Sequence, residues 1–97
     1  MTLIELTSKY IRSAEHVFNH MEIAEVPVTL DLPHISDVVD FAKAYLEDAK
    51  HYREKKKFEV SLTSIAYCEG LLDALRLLGV VTFEWPTIKK ERLPSGR

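Results

Sequence analysis

Four groupings along the sequence have residue types and spacings that chemistry can use. His16 and His20 stand four apart, which lets two imidazoles on one helix face chelate a divalent metal. No acidic residue stands at matching spacing to complete the set, so these are expected to be surface histidines and no metal site is expected. Phe41, Tyr45, Asp48 and Tyr52 follow an i, i+4, i+7, i+11 spacing. That line is either an aromatic groove edge carrying one carboxylate, or tyrosines that pack their rings and keep their hydroxyls wet. Tyr67, Gly70 and Asp73 recur three apart further along. Tyr45, Asp48, Tyr52, Tyr67, Gly70 and Asp73 together outline a small acid-lined groove, the candidate binding site. General acid–base chemistry would need two of Asp48, Glu69 and Asp73 in one cleft with displaced pKa values. No nucleophile accompanies them, so no catalytic residue is assigned. Cys68 has no basic neighbour three or four residues away and sits in an apolar arc, which predicts an inert thiol. The sequence has no glycine-rich phosphate loop, nucleophile elbow or His-Glu-x-x-His helix. The Arg-x4-His ribonuclease signature is absent too, because Val17 and Phe58 stand where Arg12 and Arg53 would need histidine. No cofactor is implied.

These side chains need elements to position them. Residues 3–22 place Leu3, Leu6, Tyr10, Ala14, Val17 and Met21 on one face, flanked by Ile4, Ile11 and Phe18, which predicts an amphipathic helix. Pro27 and Pro33 interrupt helical continuity over 23–34. There Val26, Val28, Leu30 and Leu32 alternate, an extended strap whose apolar edge is expected to lie across the helices. Residues 35–55 carry Ile35, Val38, Ala42, Tyr45, Ala49 and Tyr52 at helical spacing, with Asp31 or Ser36 as cap. Residues 58–79 carry a wider apolar arc through Cys68, Leu71, Leu72 and Leu75, closed by Gly79. Gly70 inside that helix costs about 1 kcal/mol relative to alanine, which close packing by a helix or the tail, or else a ligand or partner, would offset; packing is expected. Beyond it, Val81, Phe83 and Trp85 alternate, the candidate interaction tail, which either folds back onto the bundle or docks on another chain, before a polar end at Lys89-Lys90-Glu91-Arg92 that is expected to fray.

The expected architecture is all-α: an antiparallel three-helix bundle with an extended inter-helix strap and an extended C-terminal tail (80–97). A chain of 97 residues, 46% hydrophobic and 29% charged, reads as one domain with a modest core. A net charge of −2 gives no basic excess to neutralise phosphates, so nucleic-acid binding is not expected. One cysteine excludes an internal disulfide and fits a reducing, cytoplasmic setting. No apolar run is long enough to cross a membrane, and Met1 to Glu5 lack the basic start of a signal peptide.

From Ala44 to Gly79 the chain carries Tyr-x2-Asp-Ala-x2-Tyr, a basic turn, an aromatic, then Ala-Tyr-x2-Gly-x-Leu-Asp-Ala and a closing Leu-Gly. Tyr45, Asp48, Ala49, Tyr52, Phe58, Tyr67, Gly70, Leu72, Asp73, Ala74 and Gly79 carry this pattern. It resembles an archaeal family of short proteins known only as a domain of unknown function, number 357 in its series. Two positions depart from it. Lys55-Lys56-Lys57 stands where relatives often place a glycine, and Leu75 where a small residue is expected. The resemblance implies a small helical bundle without a known activity. Some relatives are fused to a nucleotidyltransferase-like domain, which implies an accessory role in nucleotide or flavin-cofactor metabolism.

Three readings follow. The leading one is a non-catalytic protein-interaction or self-association module, whose partner is a second copy in a homodimer or an unidentified protein. The second is a small-molecule-binding or regulatory domain using the tyrosine groove. The weakest is an enzyme built on Asp48, Glu69 or Asp73.

Overall fold

The computed structural model describes residues 1–86. It contains three helices, α1 (Leu3–His20), α2 (Leu32–Glu54) and α3 (Phe58–Leu77), and no strand among the described residues. The all-α class is as the periodicity predicts. The basic end at 89–92 lies outside the described residues.

Each helix begins and ends for a local reason. At α1, the Thr2 side chain accepts from the Glu5 backbone N–H at 3.1 Å, and the Glu5 carboxylate accepts from the Thr2 N–H at 3.2 Å. This capping box satisfies two donors that the first turn leaves open, and its hydrogen bonds hold the Glu5 carboxyl below the ordinary carboxylate range. Asp31 caps α2 by accepting from the His34 N–H at 3.2 Å, with Pro33 in the first turn. Of the two expected caps, Asp31 is therefore the one used, and α2 starts three residues earlier than its apolar spacing suggests.

Helices α2 and α3 both end in Schellman motifs. At α3, Gly79 (φ 78°) donates to the Arg76 carbonyl and Val80 to the Leu75 carbonyl. At α2 the same two bonds run from Lys56 to Arg53 and from Lys57 to Tyr52. Lys56 therefore occupies the left-handed position, at φ 59°. This is where the basic turn replaces the glycine expected from the family pattern, and a side chain there costs about 1 kcal/mol or more.

That sharp turn folds α3 back along α2. Ser61 Oγ donates to the Ala49 carbonyl at 2.7 Å, and the rings of Tyr45 and Tyr67 stack at 4.4 Å. The partner number rises on α3 as it falls on α2, which is an antiparallel register. The seam is lined by small residues: Ala42, Ala49 and Cys68 are buried, together with Leu75 at 4% exposure. Ile35, Val38, Val39, Leu46 and Tyr52 border it half-buried. Leu75, the second departure from the family pattern, is the largest residue in this core.

The first helix differs from expectation. α1 packs against neither α2 nor α3, so the structure is a helical hairpin with α1 standing apart rather than a closed three-helix bundle. Residues 21–31 have no regular secondary structure, with a bend at Val26, and Ile23, Val26, Val28 and Leu30 are exposed. The strap therefore neither crosses the helices nor pairs with the tail. Pro27 fixes its own φ and lacks an N–H, which suits an unpaired chain. The radius of gyration is 16.2 Å, against about 12.5 Å for a compact chain of this length.

Two stability outcomes follow. Leu75→Ala empties the largest core position and is expected to cost about 2–4 kcal/mol in urea denaturation. Lys56→Gly relieves the left-handed backbone and is expected to gain about 1 kcal/mol by the same measurement.

Candidate functional site

The six groove residues divide between two flanks of the hairpin. Tyr45 and Tyr67 meet face to face across it. Asp48 and Tyr52, at i+3 and i+7 from Tyr45, share that flank of α2, with Asp48 exposed and Tyr52 half-buried. Gly70, three residues after Tyr67, borders the same flank. A Cβ built at Gly70 would meet nothing within 4 Å. No helix or tail approaches it closely, contrary to the packing expected from its helix cost.

Asp73 belongs elsewhere. It accepts from the Trp85 indole N–H at 2.7 Å. Six residues beyond Tyr67 an α-helix has turned about 240° further, so Asp73 faces the other flank of α3. The groove as read from sequence is thus five residues on one flank and one on the other.

The tail forms the second site. Val81, Phe83 and Trp85 are half-buried while Thr82, Glu84 and Pro86 are exposed, the alternation of an extended segment laid on a surface. Arg76 holds it there. Its Nε donates to the Phe83 carbonyl at 3.0 Å, its terminal nitrogen reaches Glu84 at 3.5 Å, and its guanidinium lies 5.6 Å from the Phe83 ring centre. Phe83 and Trp85 meet edge to face at 5.0 Å. The candidate interaction tail therefore packs on α3 of its own chain. Asp73, Arg76, Glu84 and Trp85 line a hollow of about 200 Å³, below the roughly 300 Å³ of an ordinary ligand site. Of the two courses open to the tail, the structure takes the fold back onto its own helices; the residues that hold it, Asp73 and Arg76, were not identified from sequence. The available signal was Trp85 itself, whose indole N–H needs an acceptor once its ring is covered.

The remaining chemistry-bearing residues stand apart from one another. The His16 and His20 rings stack at 4.2 Å, and His20 Nδ1 is bonded to the His16 carbonyl at 2.8 Å. No cluster of three potential metal ligands occurs among the described residues. Cys68 is buried in the seam. Burial, with the Glu69 carboxylate adding to it, pushes its thiol above the ordinary range. A thiol so placed is a poor nucleophile. Asp48 and Asp73 sit on opposite flanks and share no cleft. No helix among the described residues is long and apolar enough to cross a membrane.

What the geometry does offer is uncovered apolar surface. On the tyrosine flank Phe41 is 62% exposed and Tyr67 55%, with Val60 and Leu78 also open. On α1, Leu3, Ile4, Tyr10, Ile11, Val17 and Phe18 are all exposed, and α1 contributes no residue to the core.

The fold and these surfaces define an all-α protein built on a helical hairpin with a clasped tail, preceded by a strongly amphipathic helix. Within that class the chain belongs to the family described as "Protein of unknown function (DUF357)", which matches residues 9–81. The match extends from α1 through the strap and hairpin to Val81, well beyond the stretch whose motifs carried the resemblance. No curated protein and no solved structure matches the chain.

Since Gly70 faces open space, Gly70→Ala is expected to raise stability by about 1 kcal/mol through helix propensity alone. Thermal and urea unfolding measure this; a loss of stability would mean that a neighbour does pack against Gly70.

Proposed function

We propose that this protein is a non-catalytic interaction module that works by self-association. The observation that carries this reading is the pair of uncovered apolar faces, one on α1 and one on the tyrosine flank of the hairpin. Soluble proteins rarely leave contiguous apolar patches of this kind open unless another surface covers them. The near-neutral net charge of −2 also puts little electrostatic repulsion between two copies.

The surface differs from the one marked by the sequence. Val81, Phe83 and Trp85 are engaged with α3 in cis, so the tail serves the hairpin, and Phe41, Tyr67, Val60 and Leu78 serve association. A small-molecule role has less support, because Tyr45 and Tyr67 are engaged with each other across the hairpin and Asp73 lies on the other flank. Acid–base catalysis has less support too, because Asp48 and Asp73 stand on opposite flanks and Asp73 is engaged by the Trp85 indole.

Light scattering coupled to size-exclusion chromatography tests the reading. The native chain is expected to run at twice its monomer mass at micromolar concentration. Phe41→Glu with Tyr67→Glu is expected to shift it to monomer while circular dichroism retains the helical signal. A native chain that stays monomeric at about 1 mM, a concentration corresponding to only about 4 kcal/mol of affinity, overturns the proposal.

A further inference from the structure

The geometry points to a specific occupant for the tyrosine flank, namely α1 of a second copy of this chain, with the two copies exchanging α1 helices. This inference rests on the self-association reading and names the element that performs it.

Four observations carry it. The first is the width of the α1 stripe. On a helical wheel at 100° per residue, its apolar positions run from Leu6 and Val17 through Tyr10, Leu3, Met21 and Ala14 to Ile11 and Ile4, an arc of about 160°. An arc that wide suits a helix lying in a groove between two others. The hairpin offers such a groove on the tyrosine flank only, because Arg76 and the clasped tail hold the other flank of α3.

The second is length. α1 has 18 residues and α3 has 20, so each apolar strip runs roughly 27–30 Å. α1 therefore matches the flank from Val60 to Leu78 end to end.

Charge is the third. The α1 edge beside Leu6 and Val17 carries Lys9, His16, His20 and, further out, Arg12, against one acid there, Glu5, which is engaged in the Thr2 capping box. The α2 edge beside Phe41 carries Asp37 and Asp48, both exposed, and Asp37, Asp40, Phe41 and Ala44 line an open hollow there. Neither Lys9 nor Arg12, nor Asp37 nor Asp48, enters an ion pair among the described residues. When α1 lies antiparallel to the α2 it meets, helix handedness turns its basic edge toward α2 and its Ser8–Glu15 edge toward the small, uncharged border at Gly70 and Ala74 of α3.

The fourth is area and reach. In its own chain α1 stands clear of the hairpin, at the end of a strap of residues 21–31 whose fully stretched reach is about 36–40 Å. The large exposed side chains of α1, at roughly 100 Å² each, give on the order of 700 Å² of apolar surface per helix. A symmetric exchange uses this twice, about 1,400 Å², which falls within the roughly 1,200–2,000 Å² of a standard stable interface. Exchange of one identical element makes that interface isologous and closed, so assembly stops at two.

The test is a charge exchange between two variants at low ionic strength. One chain carries Lys9→Glu and Arg12→Glu, and the other Asp37→Lys and Asp48→Lys. Each variant alone sets like charges along the α1–α2 edge, whether α1 docks in cis or in a second copy, and is expected to self-associate at least about 10-fold more weakly than the native chain. Mixed, they restore opposite charges at both interfaces only if α1 crosses between chains. The expected result is a heterodimer at twice the monomer mass, detected by light scattering and by native mass spectrometry. Circular dichroism of each variant checks that the hairpin has folded. Failure of the mixture to form a heterodimer overturns the exchange, because docking in cis gains nothing from mixing. If the native chain is a dimer that Phe41→Glu with Tyr67→Glu dissociates, and the mixed variants still form no heterodimer, self-association stands and α1 exchange falls. A native chain that is monomeric throughout overturns both.

Discussion

Close approach of α3 to α2 is the contact on which the rest of the structure depends. It is made possible by small side chains along the seam: Ala42 at 2% exposure, Ala49 and Cys68 let the two backbones draw together. The donation from Ser61 Oγ to the Ala49 carbonyl fixes their height, and the Tyr45–Tyr67 stack fixes one flank. Leu75 fills the far end of the seam, where the tail begins. The same approach that seats these groups also presents Asp73 and Arg76 outward, as the clasp for Phe83, Glu84 and Trp85. A seam this narrow buries little. No side chain in the described residues is both large and fully enclosed, so the hairpin has reason to gain stability from a third helix.

The turn illustrates how a local cost is tolerated to make that contact. Two Schellman motifs bracket α3, one before it and one after it, and only the second uses glycine. Lys56 carries the strain that a glycine would remove, within a basic triplet that also suits the negative end of the α2 dipole. The three-residue turn leaves α3 no freedom to swing away, so the strain is held by everything packed along the seam.

Much of the hairpin was legible in the sequence, and the reason is periodicity. Ile35, Val38, Ala42, Tyr45, Ala49 and Tyr52 recur at three and four residues, and all are buried or half-buried. The alternation of Val81, Phe83 and Trp85 similarly announced a segment with one covered edge. What periodicity states is that an element has an apolar side; it does not state which surface covers that side. α1 carries the cleaner stripe and yet lies uncovered, and the strap carries an apolar edge that stays exposed. Gly70 shows the same limit, since a helix cost recorded in sequence does not say whether a neighbour offsets it. Asp73 was misplaced for a different reason. Grouping it with the tyrosines used spacing along α3 without following the rotation of the helix, which carries it to the tail side.

The strap has a further consequence, which concerns concentration rather than contact. A tether of eleven residues keeps α1 near its own hairpin at an effective concentration in the millimolar range. Any copy that receives α1 competes with that local supply. Tether length therefore acts as a dial on assembly that no interface residue controls. Shortened until α1 no longer reaches the flank in cis, the strap would leave transfer to another chain as the sole outlet. Lengthened, it would dilute the local supply only slowly, roughly as the −3/2 power of its length. Pro27, at the middle of the tether, stiffens it and so narrows the set of positions that α1 can sample.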